Sequence, residues 1–298
     1  MSALHHVILD TDIGTDVDDL MALALIFGSP TIDLLGVTTV YGDTVLRGRM
    51  TKRIAEIAGV PVPVHAGESD TRSGREIWWA GHEARLYDDL DRHSLDGADA
   101  VGHLVDTVCA APGTVDVIAI GPLTNIAAAI ERDSRFSDAI RHLWVMGGSF
   151  TAEDEPEHNF RSDATAAEIV FAAGIPTTVA GLEVTRLITM GRDALARMSA
   201  AGELGRVIDA EIRQWWDFWG TEWNVPHDPV TVLTLTQPEL FRWSPSGRIE
   251  ILRGGESEGV SRFHPGEGAT RIVTGLDAEA VAEAIVVGIV DAAVGANA

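Results

Sequence analysis

Cysteine and lysine are nearly absent from this chain of 298 residues. The one cysteine, Cys109, excludes an intramolecular disulfide, and its apolar helical surroundings favour a buried, inert thiol over a nucleophile. The one lysine, Lys52, leaves almost no basis for chemistry that needs a lysine Schiff base or a phosphate-binding lysine. The sequence therefore argues against phosphoryl transfer in particular.

Basic residues and long apolar runs are also scarce. Lysine and arginine total 22 against 45 aspartate and glutamate residues, which gives a net charge of -23. Such a charge repels phosphate backbones and anionic lipid surfaces, so neither nucleic-acid polymers nor membranes are expected partners. No uninterrupted apolar run approaches the ~18 residues of a membrane span, and no basic region with an apolar stretch and a cleavage site opens the chain. We expect a cytoplasmic protein.

Strand-like apolar runs alternate with helix-like segments through the first two thirds of the chain. This alternation predicts an α/β fold with an open, mostly parallel sheet flanked by helices. The strand-like runs cover residues 5–10, 32–39, 61–66, 115–121, 140–148 and 176–181. The helix-like segments cover residues 20–28, 44–58, 97–110, 122–132 and 163–173.

The remaining third is mainly helical after residue 190, with a predicted strand pair at residues 248–253 and 270–275 before a final helix. Two stretches, 67–96 and 149–160, show no periodicity, and loops of that length in a compact fold are often functional. The length and the 46% hydrophobic content fit one domain spanning residues 1–298.

Five carboxylates lie in the run DTDIGTDVDD, directly after the first strand and before the first helix. Ligands of open α/β sheets bind at the carboxyl ends of strands, and a helix N-terminus favours one or two acids but not five. Because clustered anions are costly unless a cation neutralises them, these oxygen ligands predict Ca²⁺ or Mg²⁺ rather than zinc. A helix N-cap is the plainer interpretation of Asp16 or Asp18 taken alone. The five are Asp10, Asp12, Asp16, Asp18 and Asp19.

The segment GPLTN follows another strand and opens another helix at residues 121–125. If that strand ends at the same sheet edge as the aspartate run, the carbonyl of Ile120 points to the same place, and backbone carbonyls are normal calcium ligands. The structural alternative is a strand-to-helix turn that Thr124 or Asn125 caps.

Two later segments place polar side chains near helix starts. In EPEHN, Glu157 and Asn159 cap no obvious helix, and a carboxylate and an amide at this spacing suit the hydroxyl groups of a sugar, whereas Ser162 or Asp163 is the expected cap of the next helix. In HDP, Asp228 is either an N-cap or a third carboxylate for the metal.

A row of tryptophans precedes the HDP segment. Trp215, Trp219 and Trp223 recur at helical spacing, with Trp216 beside them. Such a stripe more often belongs to a core or an interface than to a ligand site. Because it runs toward His227, one or two of its rings could stack on a flat heterocycle.

Taken together, DTDIGTDVDD, GPLTN, the E-x-N-x-x-x-D segment and HDP resemble the nucleoside hydrolases of the inosine-uridine-preferring family, over residues 10–229. The resemblance implies a Rossmann-like open α/β fold and one tightly bound Ca²⁺ per subunit. It implies hydrolysis of the N-glycosidic bond of small-molecule ribonucleosides to ribose and a free base. Members of the family also lead us to expect a homodimer or homotetramer.

The resemblance further implies a set of metal ligands. These would be Asp12, Asp19, Asp228 and the carbonyl of Ile120. Asp12 would also act as general base on a calcium-bound water, and Asp10 would support the cluster from behind.

The same resemblance implies the ribose contacts. Asp18 would hold the 2′-hydroxyl, Asn159 the 3′-hydroxyl and Glu157 the 5′ end. The aspartate run is two residues longer than in many members, which leaves Asp16 as an alternative to Asp18 for the ribose contact.

For the base, the resemblance implies that His227 protonates the leaving group and that His82, in WAGHE, lies near the base pocket. A histidine with an unperturbed pKa near ~6.5 can donate that proton at neutral pH. The acidic residues 153–155 would disfavour a 5′-phosphate, so we expect nucleosides rather than nucleotides as substrates; they are otherwise a solvated loop.

Two alternatives differ in class. A phosphatase of the haloacid dehalogenase type also carries a D-x-D pair after its first strand, but it needs a downstream lysine or arginine, and the scarcity of lysine and the later motifs argue against it. A nucleoside- or ribose-binding protein would keep the metal without the chemistry. The intact set of Asp12, Asp19, Asp228 and His227 argues against that loss.

Overall fold

The computed structural model describes residues 4–151 and 153–296. The strands in these ranges are β1 (His5–Thr11), β2 (Ile32–Thr39), β3 (Val64–Ala66), β4 (Val115–Ala119), β5 (His142–Met146), β6 (Thr177–Ala180), β7 (Met190–Gly191), β8 (Trp223–Asn224), β9 (Phe241–Trp243), β10 (Gly247–Ile251), β11 (Ser261–Pro265) and β12 (Thr270–Leu276). The α-helices are α1 (Asp18–Gly28), α2 (Thr44–Ala58), α3 (Ala100–Ala110), α4 (Thr124–Arg132), α5 (Phe136–Ala139), α6 (His158–Ser162), α7 (Ala164–Ala172), α8 (Leu182–Thr185), α9 (Arg192–Ser199), α10 (Glu203–Trp219), α11 (His227–Thr236) and α12 (Ala278–Gly295).

Ten of the strands form one sheet, in the order β11-β10-β12-β6-β5-β4-β1-β2-β3, with β9 paired to β12. The strands from β12 to β3 in this order pair in parallel, whereas β9, β10 and β11 pair antiparallel. The stretch β3-β2-β1-β4-β5-β6 is the doubly wound order, whose ligand crevice opens at the carboxyl ends of β1 and β4. The structure confirms the expected open, Rossmann-like α/β fold.

Helices cover both faces of this sheet because its central strands are apolar on both sides. In β1, Val7 and Leu9 belong to one core, which also contains apolar residues of α1 and α9 to α12, and Ile8 belongs to a second core with α3, α4 and α7. All three side chains are fully buried. Burial on both faces makes β1 a fixed support for the acidic residues that follow it.

Several predicted boundaries agree with the structure and others do not. The strand at 32–39 and the helix at 44–58 have the predicted bounds. The run at 61–66 is a strand only over Val64–Ala66, since Pro61 and Pro63 have no N–H to donate to a ladder. In the predicted C-terminal pair, β10 and β12 are neighbours, but β10 pairs mainly with β11, whose sequence SRFHP has no apolar alternation.

Two further expectations concern exposure. Cys109 lies in α3 and is half-buried, so the expectation of a buried thiol is wrong, although burial does raise the pKa of the thiol. Among the described residues, no helix combines the length and the apolarity needed to cross a membrane. The single domain over residues 1–298 stays a prediction.

Candidate active site

A cavity of about 1180 Å³ opens where the central strands end. Its wall includes Asp12, Ile120 and Met146, which stand at or just beyond the carboxyl ends of β1, β4 and β5. The crevice expected for a doubly wound sheet is therefore present at the expected edge. Its carboxylate lining includes Asp12, Asp16, Asp18, Asp19, Glu157 and Asp228. Its aromatic and imidazole lining includes Tyr41, Trp78, Trp79, His158, Trp215, Trp219 and His227.

Two helix N-termini bring three of the carboxylates together. Asp18 and Asp19 are the first residues of α1, and Asp228 is the second residue of α11, which packs against α1. One oxygen of each side chain lies within 4.8 Å of the others, and all three residues are buried. The partial positive charge of both helix ends favours anions here, but by far less than three full charges require.

The electrostatics of this cluster call for a cation. Burial raises the pKa values of Asp18, Asp19 and Asp228 well above the usual carboxyl range, and repulsion among the carboxylates raises them further. Burial also raises the pKa of Asp12. Oδ1 of Asp228 is buried and has no hydrogen-bond partner among the described residues. A hard divalent cation would bind that oxygen and offset the repulsion among the carboxylates, so these residues fit a metal.

The simpler N-cap interpretations are wrong. The N-cap of α1 is Val17, without a side-chain cap, and Asp18 lies inside the helix. Asp16 accepts the N–H of Val17 at 2.6 Å, and burial raises its pKa to about 8. In α11 the N-cap is Pro226, so Asp228 is not a cap either.

Asp10 stands behind the cavity wall. Its Oδ1 accepts hydrogen bonds from Thr38 at 2.5 Å and from the Asn125 amide at 2.7 Å. Burial raises its pKa to about 7. Because Asp10 does not line the cavity, its position suits the supporting place that was expected for it.

The GPLTN segment contributes no helix cap, but its glycine lies close to Asp12. The N-cap of α4 is Leu123, with no side-chain cap, so the expected cap at Thr124 or Asn125 is wrong. Thr124 instead donates to Asp163 at 2.8 Å, and Asp163 caps α7, as predicted. A Cβ on Gly121 would lie 2.7 Å from Oδ1 of Asp12, so only glycine lets this turn close on that carboxylate.

The EPEHN segment differs in detail from expectation. Glu157 does cap a helix, since it accepts the backbone N–H groups of Asn159 at 2.7 Å and Phe160 at 3.0 Å at the start of α6. The amide of Asn159 donates to the carbonyl of Ile120 at 2.8 Å. That bond leaves the second lone pair of the Ile120 carbonyl and the side-chain oxygen of Asn159 for other partners.

The two histidines predicted for the base differ in placement. His227 lines the cavity, with Nδ1 2.7 Å from the Thr185 hydroxyl, and burial with the nearby Arg186 lowers its pKa to about 4. The sequence-based assumption of an unperturbed pKa for His227 is therefore wrong. His82 is not a lining residue: its Nε2 donates to the Thr15 carbonyl at 2.8 Å, and Trp215 packs edge-on against its ring.

Ion pairs compensate part of the charge of the acidic loop at residues 153–155. Glu155 accepts both arms of the Arg186 guanidinium, at 2.7 and 2.9 Å, and Asp154 pairs with Arg262. Two of the three acids that were expected to repel a 5′-phosphate are thus paired with arginines. They are not simply a solvated loop.

The tryptophan row is only partly a helix stripe. Trp215 and Trp219 line the cavity from α10, and Trp216 is in the core, where its indole donates to Asn224 at 3.1 Å. The helix ends at Trp219, so Trp223 lies beyond it in β8. Phe218, which the tryptophan pattern did not indicate, stacks on Trp215 with ring centroids 5.7 Å apart.

Arg47 is a further residue that the sequence did not indicate. Its side chain is 1% exposed and donates to the carbonyls of Asp12, Ile13 at 2.8 Å and Tyr41 at 2.7 Å. It thereby fixes the backbone that carries Asp12. The one available signal was an arginine on the predicted second helix, which ordinarily indicates a solvated face.

The fold and the site together define a class: a doubly wound α/β enzyme with an acidic, metal-suited end and an aromatic wall in one cavity. The family model for the inosine-uridine preferring nucleoside hydrolases matches residues 7–283, and the chain belongs to that family. It is thus a hydrolase that acts on N-glycosyl bonds. The family is metal-dependent, in keeping with the acidic cluster, and membership removes the support for a phosphatase.

Individual relatives match over most of their length. The chain is 32% identical over 281 residues to uridine nucleosidase 1 of Arabidopsis thaliana, covering 87% of this chain and 80% of that protein. It is 28% identical over 249 residues to the pyrimidine-specific ribonucleoside hydrolase RihB of Shigella flexneri, covering 78% and 79%. The solved plant nucleoside hydrolase PpNRh1 superposes with a TM-score of 0.86 at 25% identity, covering 96% and 98%.

Proposed function

We propose that this protein hydrolyses the N-glycosidic bond of ribonucleosides with the help of one Ca²⁺, releasing ribose and a free nucleobase. The observation that carries the proposal is the buried group of Asp18, Asp19 and Asp228, in which one oxygen of each side chain lies within 4.8 Å of the others. Oδ1 of Asp228 has no hydrogen-bond partner in the part of the chain that the structure describes. Asp12, Asp19, Asp228 and the Ile120 carbonyl would hold the cation. Carboxylate and carbonyl oxygens are the donors that Ca²⁺ takes in proteins.

Asp12 is the proposed general base. A bound cation would lower the pKa of the attacking water and would bind the ribose diol. Burial raises the pKa of Asp12, which brings this carboxyl closer to the range where a base works well at neutral pH. The water oxygen forms a bond to C1′ while the C1′–N bond breaks and its electron pair leaves with the base, and the water proton passes to Asp12. Surrounding carboxylates stabilise the positive charge that develops on the sugar.

The proposed ribose contacts of Asp18 and Asn159 rest on the hydrogen-bonding capacity that these side chains have free. Asp18 belongs to the close carboxylate group, whereas Asp16 accepts the N–H of Val17, which favours Asp18 for the 2′-hydroxyl. Asn159 uses its amide N–H on the Ile120 carbonyl and keeps its oxygen to accept from the 3′-hydroxyl. Glu157 remains the proposed contact at the 5′ end.

His227 is the proposed acid for the leaving base, and because its pKa is lowered to about 4, only the small protonated fraction present at neutral pH would supply the proton. Its Nδ1 is engaged with the Thr185 hydroxyl, so Nε2 is the nitrogen that would face the base. The aromatic lining of Trp78, Trp79, Trp215 and Trp219 would hold a flat heterocycle. His82, one layer behind Trp215, would support this wall. A homodimeric or homotetrameric assembly and a cytoplasmic location also stay proposals.

The test is release of ribose from a panel of purine, pyrimidine and modified ribonucleosides, including uridine, before and after chelation. We expect release that chelation abolishes and added Ca²⁺ restores. Asp12→Ala should lose on the order of 10²- to 10⁴-fold in kcat, the range of a general base. Asp138→Ala, at an exposed residue outside the cavity, is the matched control and should keep wild-type activity.

Three results would contradict all or part of the proposal. Tight binding of a nucleoside with no release of ribose, in protein that contains calcium, would favour the binding-protein alternative. Turnover of a simple phosphate ester would revive the phosphatase. Full activity after complete chelation would remove the metal from the proposal while leaving the hydrolase assignment in place.

A further inference from the structure

Tyr41 adopts an unusual backbone conformation at the cavity wall. It follows β2 with a φ of 70°, in the left-handed region that bulky side chains rarely enter. Its N–H donates to the Glu68 carbonyl at 2.9 Å, and its own carbonyl accepts from Arg47 at 2.7 Å. The surroundings therefore hold the residue in place, and side chains kept in such conformations cluster at functional sites.

The hydroxyl of Tyr41 accepts two hydrogen bonds and can still donate one. The side chain is 3% exposed and lines the cavity. Its oxygen accepts the backbone N–H of Trp78 at 2.8 Å and the Ser162 hydroxyl at 3.4 Å. A phenol has one proton to donate and two acceptor positions, so with the oxygen engaged in this way the proton is free for a ligand.

The neighbours of this hydroxyl locate it in the cavity. Ser162 and His158 both belong to α6, and the His158 ring meets the Tyr41 ring edge-on with centroids 6.1 Å apart. The N-cap of the same helix is Glu157, the proposed contact for the 5′ end of ribose. The phenol therefore lies beside α6, next to the proposed contact for the 5′ end of ribose.

We propose that the Tyr41 hydroxyl donates a hydrogen bond to the 5′-oxygen of the ribonucleoside and so selects substrates that carry an acceptor there. The inference rests on the proposed function and assigns a specificity role within the same site. Glu157, an acceptor, would take the proton of the 5′-hydroxyl, while Tyr41, a donor, would bind its oxygen. The paired acids Glu155 and Asp154 are not needed for this selection.

The chain offers a matched control, since it contains only two tyrosines. Tyr87 lies outside the cavity lining, with its ring 4.7 Å from the guanidinium carbon of Arg53. Tyr41→Phe removes the phenolic oxygen of a buried ring, and Tyr87→Phe removes that of a half-buried ring. Only the first removes a donor from the cavity.

The experiment measures kcat/KM for free-base release from uridine and from 5′-deoxyuridine. Tyr41→Phe should lose about 3- to 10-fold on uridine, the size expected for one neutral hydrogen bond, and less than twofold on 5′-deoxyuridine. Tyr87→Phe should leave the ratio of the two substrates at its wild-type value. Equal losses on both substrates for Tyr41→Phe would overturn the inference, because a purely structural role would act on both.

A second measurement needs no variant and so keeps the test valid if Tyr41→Phe fails to fold. A 5′-O-methyl nucleoside keeps the acceptor for Tyr41 but has no proton for Glu157. The wild-type enzyme should turn over 5′-O-methyluridine faster than 5′-deoxyuridine, and the opposite order would overturn the inference. If wild-type protein releases no base from any nucleoside, the proposed function itself fails, which is a separate outcome.

Discussion

Asp10 and Asp12 lie two residues apart and have different surroundings. Asp10 is inside β1, where Thr38 and Asn125 hydrogen-bond its carboxylate. Asp12 follows the strand and lines the cavity, with Arg47 bound to its backbone carbonyl. One carboxylate is thus held in place by the sheet, and the other is presented to a ligand.

The role of His227 can be tested through the leaving group. If His227 supplies the proton, His227→Ala should lower kcat on inosine by about 10²- to 10⁴-fold, the range of general acid catalysis. It should lower kcat on a nitrophenyl riboside far less, because that leaving group departs without a proton. Side-by-side rates on the two substrates provide the measurement, and equal losses on both would remove the acid role.

Residues that could be predicted are those whose chemistry is unusual for their position. Five carboxylates in ten residues predicted the acidic site, whereas the segment around Asp228 left an N-cap and a metal ligand as alternatives, and only the family resemblance assigned that residue to the site. Arg47 could not be predicted, because its role depends on carbonyls that only the fold brings to it. The pKa of His227, lowered by burial and Arg186, was hidden for the same reason.

At the scale of elements, the turn between β4 and α4 controls the position of Asp12. A Cβ on Gly121 would lie 2.7 Å from Oδ1 of Asp12 and 3.0 Å from its backbone nitrogen. Gly121→Ala should therefore displace the proposed base and lower kcat by roughly 10- to 100-fold, since displacements near 1 Å can cost about 10²-fold.

The matched control is Gly191→Ala, where the nearest atom to an added Cβ is the Glu222 carbonyl oxygen at 3.7 Å. This variant should keep wild-type kcat on uridine. Circular dichroism on both variants would establish that each is folded. A Gly121→Ala enzyme with kcat within twofold of wild type would show that the close approach has no catalytic consequence.

Helices and strands could be predicted where the pattern of apolar residues in their own sequence determines them. The central parallel strands and the helices between them follow from apolar runs that are buried on both faces. The short helix α6 was hidden within a loop because Glu157 caps it and no apolar stripe marks it. The strand β11 gains its pairing from β10 and not from its own sequence.

For the whole molecule, the acidic site couples stability to pH and to calcium. The pKa of Asp10 is raised to about 7 and that of Asp16 to about 8, above the ~3.9 of an unfolded aspartate. A raised folded-state pKa adds stability at low pH that is lost as the pH rises through that value. Metal-free protein should therefore lose thermal stability as the pH rises from 6.5 to 8.5, through the raised pKa values of Asp10 and Asp16.

Calcium should offset this loss, because it binds the ionised carboxylates. Thermal melting with chelator and with excess Ca²⁺ should show a larger calcium-induced rise in Tm at pH 8.5 than at pH 6.5. Asp228→Asn removes one charge from the cluster, so it should raise the Tm of the metal-free protein at pH 8.5 and abolish most of the calcium response. An equal calcium response at both pH values, or a full response in Asp228→Asn, would contradict the expected coupling.

The aromatic wall also gives the protein a built-in optical reporter. Four of the eight tryptophans, Trp78, Trp79, Trp215 and Trp219, line the cavity in which the proposed substrate would bind. A heterocycle that stacks on these indoles should change their emission, whereas the indole of Trp216 is buried in the core, outside the cavity. Occupancy of the cavity can thus be followed by intrinsic fluorescence, without a label and without turnover.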